Sequence, residues 1–157
     1  MRTIVPKKPG ICQQGAEELN KLIPDTIAIH NFLHDAHVSA KGMAFEGLHA
    51  TLKEAYEALF DLSDDVKERV RILGFSLAYD PKTATIKSSF TEEADEATLC
   101  TLVLDEMRRY AEKLDFAYER LEDLRLNGTS KVLQDHLADI EKIGWKVAAH
   151  LESLPKS

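Results

Sequence analysis

Apolar residues return every three or four positions over long stretches of this chain. That spacing lines them up on one side of an α-helix. The first stretch runs from about Ala16 to about Ser39, with Leu19, Leu22, Ile23, Ile27, Leu33 and Ala36 on its apolar side. Pro24 falls inside it, so either the regular helix starts near Pro24 or the helix bends there. The second stretch is the clearest: Leu48, Leu52, Ala55, Leu59, Leu62, Val66 and Leu73, with no Gly or Pro between them and a stop at Gly74. Next comes FSLAYDPKTATIKSSF, a long connection with room for a short helix. A connection of that length can cross the end of a bundle, so the helix after it need not be an antiparallel neighbour. The third stretch, from about Glu92 to about Arg125, carries Leu99, Leu102, Val103, Met107, Tyr110, Leu114, Leu121 and Leu124. Asn127-Gly128 is expected to end it, and Thr129 or Ser130 to cap a fourth with Val132, Leu133, Leu137, Ile140, Val147 and Leu151. Strand signals are almost missing. The expected fold is all-α, a four-helix bundle with one long connection between its second and third helices.

Composition sharpens this picture only at its edges. A chain of 157 residues is one domain's worth and can bury a real core. Residues 1–15 are expected to be a short tail, made basic by Arg2, Lys7 and Lys8, and residues 16–154 the bundle. With 20 basic and 27 acidic residues the net charge is −7, which argues against a dedicated nucleic-acid binder. No apolar run approaches the ~20 residues of a membrane span. The segment MRTIVPKKPGICQQG has no apolar core of a secretory signal, so the expected compartment is the cytoplasm. Cys12 and Cys100 lack zinc or CxxC spacing and read as free thiols, one in the tail and one in a helix.

The candidate chemistry sits in the first two helices. LHDAHVSAKGMAFEGLH holds His34, His37 and His49 around a Lys41-Gly42 corner. On the second helix, at about 100° per residue, His49, Lys53, Asp64 and Glu68 fall in one stripe beside the apolar seam. Asp64 and Glu68 are four apart, so both carboxylates project from one face. Two imidazoles and two carboxylates suit iron, zinc or manganese. A solvated charge stripe is the ordinary alternative. One helix would separate His49 from Asp64 by roughly 22 Å at 1.5 Å per residue, so they cannot hold one ion within a chain. Antiparallel copies of the second helix, crossing near Glu57-Ala58 on a two-fold axis, would bring His49 of one chain to Asp64 and Glu68 of the other.

The ordered set AHVSAKGMAFEGLH and DDVKERVRILG resembles the Dps family, the mini-ferritins also called DNA-binding proteins from starved cells. His37, Lys41, Gly42, Phe45, Leu48 and His49 match the first part of that pattern. Asp64, Glu68, Arg69, Leu73 and Gly74 match the second. The connection with Pro81 and SSF, and the final EKIGWKVAAHLES, are similar to the family's middle loop and last helix. The resemblance implies a ferritin-like bundle, assembled from two-fold dimers into a hollow dodecamer. It implies ferroxidase centres at the dimer interface, with His37, His49, Asp64 and Glu68 as both catalytic residues and metal ligands. Glu68 would bridge ions or hold the better-bound iron. Fe(II) would be oxidised by hydrogen peroxide or oxygen and Fe(III) mineralised inside the shell, protecting against oxidative stress. Zinc is the substitute ion. The other readings are a degenerate shell that binds metal with little ferroxidase activity, and a DNA-compacting stress protein.

Four departures qualify that picture. Lys53 stands where the family often has an acid that helps hold a weaker second iron. A charged ammonium cannot ligate and repels a second cation, so one well-held metal is expected. Lys53 is expected either to pair with Asp64 or to point away, leaving water or Glu57 to serve. Val38-Ser39 replaces the family's Trp-Asn, removing an aromatic that could shield the site or take up stray oxidising equivalents. LNGTSK, with Lys131, stands where the three-fold iron pore is usually acidic, leaving Glu122, Asp123 or Asp135 as the available acids. The basic tail is reduced to Arg2, Lys7 and Lys8, so DNA binding is expected to be weak. His30 and His34 continue the stripe of His37; extending the metal site or feeding protons is one reading, and packed or solvent-facing residues is the expected one. His136 and His150 read as surface residues, and Trp145 as packing.

Overall fold

The computed structural model describes residues 2–90 and 93–156. It has four long helices: α1 Pro9–Ser39, α2 Phe45–Ile72, α3 Glu96–Asp123 and α4 Asn127–Ser153. A 3₁₀ turn, Pro81–Thr83, lies in the long connection. No strand occurs among the described residues. The helices pack as α1 on α2 and α3, and α4 on α2 and α3, leaving α1–α4 and α2–α3 as diagonals. The expected bundle is therefore present, and the long connection joins diagonal helices. No helix among the described residues is long and apolar enough to cross a membrane.

α1 starts at Pro9, about two turns before its apolar pattern becomes evident, and runs unbroken through Pro24. Proline removes the bond to the carbonyl four residues back, and that cost is met by anchoring around it. Asp25 is buried and accepts hydrogen bonds from the Thr85 and Ile86 amides at 2.6 and 3.0 Å. It also pairs with Lys113 at 3.2 Å, so one carboxylate ties α1 to the connection and to α3. The Thr26 hydroxyl donates to the Leu22 carbonyl at 2.9 Å and lies 2.7 Å from the buried Tyr110 hydroxyl. Burial pushes the Tyr110 phenol well above its ordinary pKa, so it stays a neutral hydrogen-bonding group. Cys12 is buried in α1 rather than lying in a tail. Cys100 is buried in α3, where the apolar surroundings push its thiol up to about 11.

α2 ends as expected. Gly74 takes φ 96°, its amide bonds the Arg71 carbonyl at 3.0 Å, and the Phe75 amide bonds the Val70 carbonyl at 3.2 Å. This is the left-handed cap that glycine adopts without steric cost. α3 begins later than expected: Asp95 caps it through the Thr98 amide at 2.7 Å, while Glu92 lies outside the described residues.

The α3–α4 turn corrects the sequence expectation. Asn127 and Gly128 are the first residues of α4, and Thr129 and Ser130 lie within its first turn instead of capping it. The left-handed residue is Arg125, φ 53°. Its amide bonds the Glu122 carbonyl at 2.8 Å and the Leu126 amide bonds the Leu121 carbonyl at 3.0 Å. Leu126 is 2 % exposed. Tucking that side chain against Leu121 demands the tight cap, whichever residue must bend. An L-residue in the left-handed region costs about 1–2 kcal/mol, and glycine's extra unfolded-state entropy returns part of that. Arg125→Gly should therefore raise the unfolding free energy by roughly 0.5 kcal/mol, read as a higher urea midpoint. A lower midpoint would mean that Arg125 contributes more by contact than it costs by conformation.

Candidate metal centre

The corner between α1 and α2 brings His37 and His49 together. His37 is on the last turn of α1 and His49 on the first turns of α2. Each imidazole reaches the other's backbone: His37 Nδ1 lies 2.7 Å from the His49 carbonyl, and His49 Nδ1 lies 2.8 Å from the His37 carbonyl. A carbonyl only accepts, so both Nδ1 atoms carry the proton. Both Nε2 atoms are then left as lone pairs, the form in which imidazole ligates metals. The rings stack with centroids 3.6 Å apart and planes 20° from parallel. Phe45 stacks on His49 at 4.7 Å and Tyr56 stands edge-on to His37 at 5.2 Å. Three aromatic contacts and two reciprocal hydrogen bonds thus hold the two rotamers.

Gly42 makes the corner possible. It takes φ 113°, and a side chain there would collide with the Glu96 carboxylate at the start of α3. Glu96 is itself bonded by His150 Nε2 at 2.7 Å, and Lys41 pairs with Glu93 at 3.0 Å. His150 is therefore a half-buried tie between α4, α3 and the corner, not a surface residue. His136 likewise bonds Asp65 at 2.6 Å, tying α4 to α2. Both were expected at the surface because neither falls in an apolar stripe. Trp145, expected to pack, is 66 % exposed on α4.

Asp64 and Glu68 are exposed on α2 and are not brought to the histidines. Because α2 is continuous from Phe45 to Ile72, the rise of 1.5 Å per residue keeps His49 and Asp64 roughly 22 Å apart. Among the described residues, no three His, Cys, Asp or Glu side chains of one chain converge as ligands. Arg69, next to Glu68, bonds the Thr129 hydroxyl at 3.2 and 2.9 Å, fastening this end of α2 to the start of α4. Lys53 reaches Glu57 at 3.8 Å, both half-exposed, and not Asp64. Tyr56 was missed from sequence. Its signal was its position two turns after His49, on the same face.

A ferritin-like domain model matches residues 16–157. The DNA protection during starvation protein of Mycolicibacterium smegmatis is 30 % identical over 154 residues, covering 92 % of this chain and 83 % of the relative. A solved structure, Mycobacterium smegmatis Dps in a tetragonal form, superposes with a TM-score of 0.86 at 27 % identity, covering 98 % of this chain and 96 % of that one. A Dps protein from Vibrio cholerae, described as a member of a broad superfamily of ferritin-like diiron-carboxylate proteins, has a TM-score of 0.82 at 24 % identity, with 96 % and 98 % covered. Bundle and domain match together define a ferritin-like protein. Within that class the chain belongs to the Dps family, whose general role is iron storage and protection.

Burial holds the pKa of His37 below its ordinary 6.5, partly opposed by its backbone hydrogen bond and reinforced by the nearby His49, His34 and Lys53. The folded pKa is lowered, so the unfolded chain takes up the proton first as pH falls. The stability this imidazole contributes is complete above pH 6.5 and is lost as pH drops through its folded value. The gap in urea midpoint between the wild type and His37→Gln should narrow as pH falls below 6.5. A gap that widens toward acid would contradict the assignment of a buried neutral ring.

Proposed function

We propose that this chain is a Dps-type ferroxidase and iron store whose centre is completed by a second subunit. The observation that carries it is the reciprocal His37–His49 arrangement, which presents two oriented lone pairs that no third His, Cys, Asp or Glu of the same chain joins among the described residues. Asp64 and Glu68, four apart on the exposed face of the same helix, are the complementary half. An antiparallel two-fold crossing of α2 near Glu57-Ala58 joins the halves twice, once on each side of the axis. Six such dimers give the family's dodecameric shell.

The substrate is Fe(II). His37 and His49 supply neutral nitrogen ligands, and Glu68 and Asp64 supply the anionic oxygens that favour Fe(III) over Fe(II). Two Fe(II) give up one electron each to hydrogen peroxide, forming two Fe(III) and two hydroxide ions; oxygen is the alternative acceptor. Hydrolysed Fe(III) then mineralises inside the shell, away from solution peroxide. Zinc, of similar charge and ligand preference, is the ion most able to occupy the site in place of iron. Lys53 limits the centre to one firmly held ion, because its ammonium lies one turn from His49 and repels a second cation. That same residue favours the second reading, a shell that binds metal with little ferroxidase activity. DNA compaction has less support. The net charge is −7, and the short basic tail is tied down by the Thr3 hydroxyl, which donates to the Ile72 carbonyl at 2.6 Å.

Two experiments test this reading. His49→Ala and Glu68→Ala chains should each be inactive alone. Refolded as an equal mixture, they should recover about a quarter of wild-type peroxide-dependent Fe(II) oxidation. Random pairing makes half the dimers mixed, and one of the two centres in each mixed dimer is intact. A mixture as inactive as its parents means the centre is not shared. Lys53→Asp should raise the firmly bound iron from one to two per centre, counted by titration under anaerobic conditions. An unchanged count removes Lys53 as the limiting residue.

A further inference from the structure

The face of α1 that carries His37 continues toward the N-terminal end with His34 and then His30. His34 is exposed and has no hydrogen-bond partner among the described residues. His30 is half-buried, with its ring against His34, Tyr56 and Phe60 at centroid distances of 6.3, 6.1 and 6.0 Å. Tyr56 also packs on His34 at 4.6 Å. These two imidazoles are neither core residues nor freely moving surface ones. They are a pair one helical turn apart, flanked by the rings of Tyr56 and Phe60.

We propose that His30 and His34 form a separate site for a divalent transition ion that prefers nitrogen ligands, zinc or copper. Residues four apart on a helix project from one face, one turn above the other. An imidazole nitrogen binds zinc at about 2.0–2.1 Å, so two rings sharing one ion have centroids roughly 5.2 Å apart at a tetrahedral angle and roughly 6.4 Å apart at a linear one. The observed 6.3 Å lies at the wide end, and rotation of the exposed His34 side chain closes it toward the tetrahedral value without moving the backbone. His30 Nδ1 faces the Asn31 side-chain oxygen at 3.2 Å. With Nδ1 as donor to that oxygen, Nε2 is the free lone pair, the outer-sphere arrangement that orients ligating histidines. His34 stands 6.4 Å from His37 as well, but His37 already has its Nδ1 fixed by the His49 carbonyl and its Nε2 aimed at the iron centre.

The ligand set decides which ion binds. Two neutral imidazoles without a carboxylate discriminate against hard, oxygen-seeking ions and favour the late divalent metals, for which copper and zinc exceed Fe(II) in affinity. Water or a group of the second subunit fills the remaining positions. The pair gives zinc or copper a seat beside the iron centre and outside it. The site uses neither Asp64 nor Glu68, so its existence does not depend on the shared ferroxidase centre.

Zinc titration of the assembled full-length protein tests the proposal, using wild type, His30→Asn/His34→Asn and His37→Asn/His49→Asn. The first double variant should lose one zinc per chain that the second retains. Zinc-soaked wild-type crystals should show an anomalous peak between the His30 and His34 rings. Should the first double variant fold poorly by circular dichroism, His34→Asn alone, an exposed change, should weaken that zinc at least about tenfold. Equal zinc stoichiometry in wild type and His30→Asn/His34→Asn, or an anomalous peak confined to His37 and His49, overturns it. Iron oxidation that persists in His37→Asn/His49→Asn, with this zinc still bound, would count against the shared centre only.

Discussion

The unbroken length of α2 is the constraint from which the rest follows. A helix of 28 residues is a rigid rod of fixed rise, and it carries imidazole near one end and carboxylates near the other. No rotamer change can bring them together. Within one chain, the two groups stay apart at a fixed separation. On the proposed reading, only a second rod lying antiparallel joins them, and the rigidity of an ordinary bundle helix is what ties the chemistry to assembly.

The histidine half-site shows how the corner converts backbone into chemistry. The His37 carbonyl is among the last four of α1, which have no intrahelical partner, and the His49 carbonyl, in the second turn of α2, accepts through its second lone pair. Each is used by the opposite imidazole. The outcome is a pair whose tautomers are set by the backbone itself. No carboxylate is needed to orient the rings. Lys53 stands close enough to add to the burial and the neighbouring imidazoles that disfavour protonation of His37.

Much of the architecture was legible in the sequence because heptad-like spacing is a direct record of burial. Leu48 to Leu73 announced α2 and Gly74 its stop, and both are found. The Lys-Gly corner and its flanking histidines were legible as a unit because their spacing is short. What the sequence did not disclose were contacts that depend on distant segments. Asn127-Gly128 looks like a turn, yet the buried Leu126 moves the bend to Arg125. His136 and His150 look like surface residues because their partners, Asp65 and Glu96, lie 71 and 54 positions away. Pro24 looks like a break, but the bonds Asp25 makes to residues 85, 86 and 113 hold the helix through it. Local pattern reports which face is buried; it carries no information on which far-off polar group will be waiting there.

The tie from His150 through Glu96 to Gly42 has a temporal side. During synthesis the chain emerges from its N-terminal end, so His37 and His49 leave the ribosome about a hundred residues before the group that braces their corner. Until residue 150 is out, Glu96 lacks its imidazole partner and the glycine corner lacks its backing. The reciprocal bonds of the two histidines need only α1 and α2, whereas the brace behind the glycine waits for α4. The last helix is thus the final support of a corner whose histidines were made long before it.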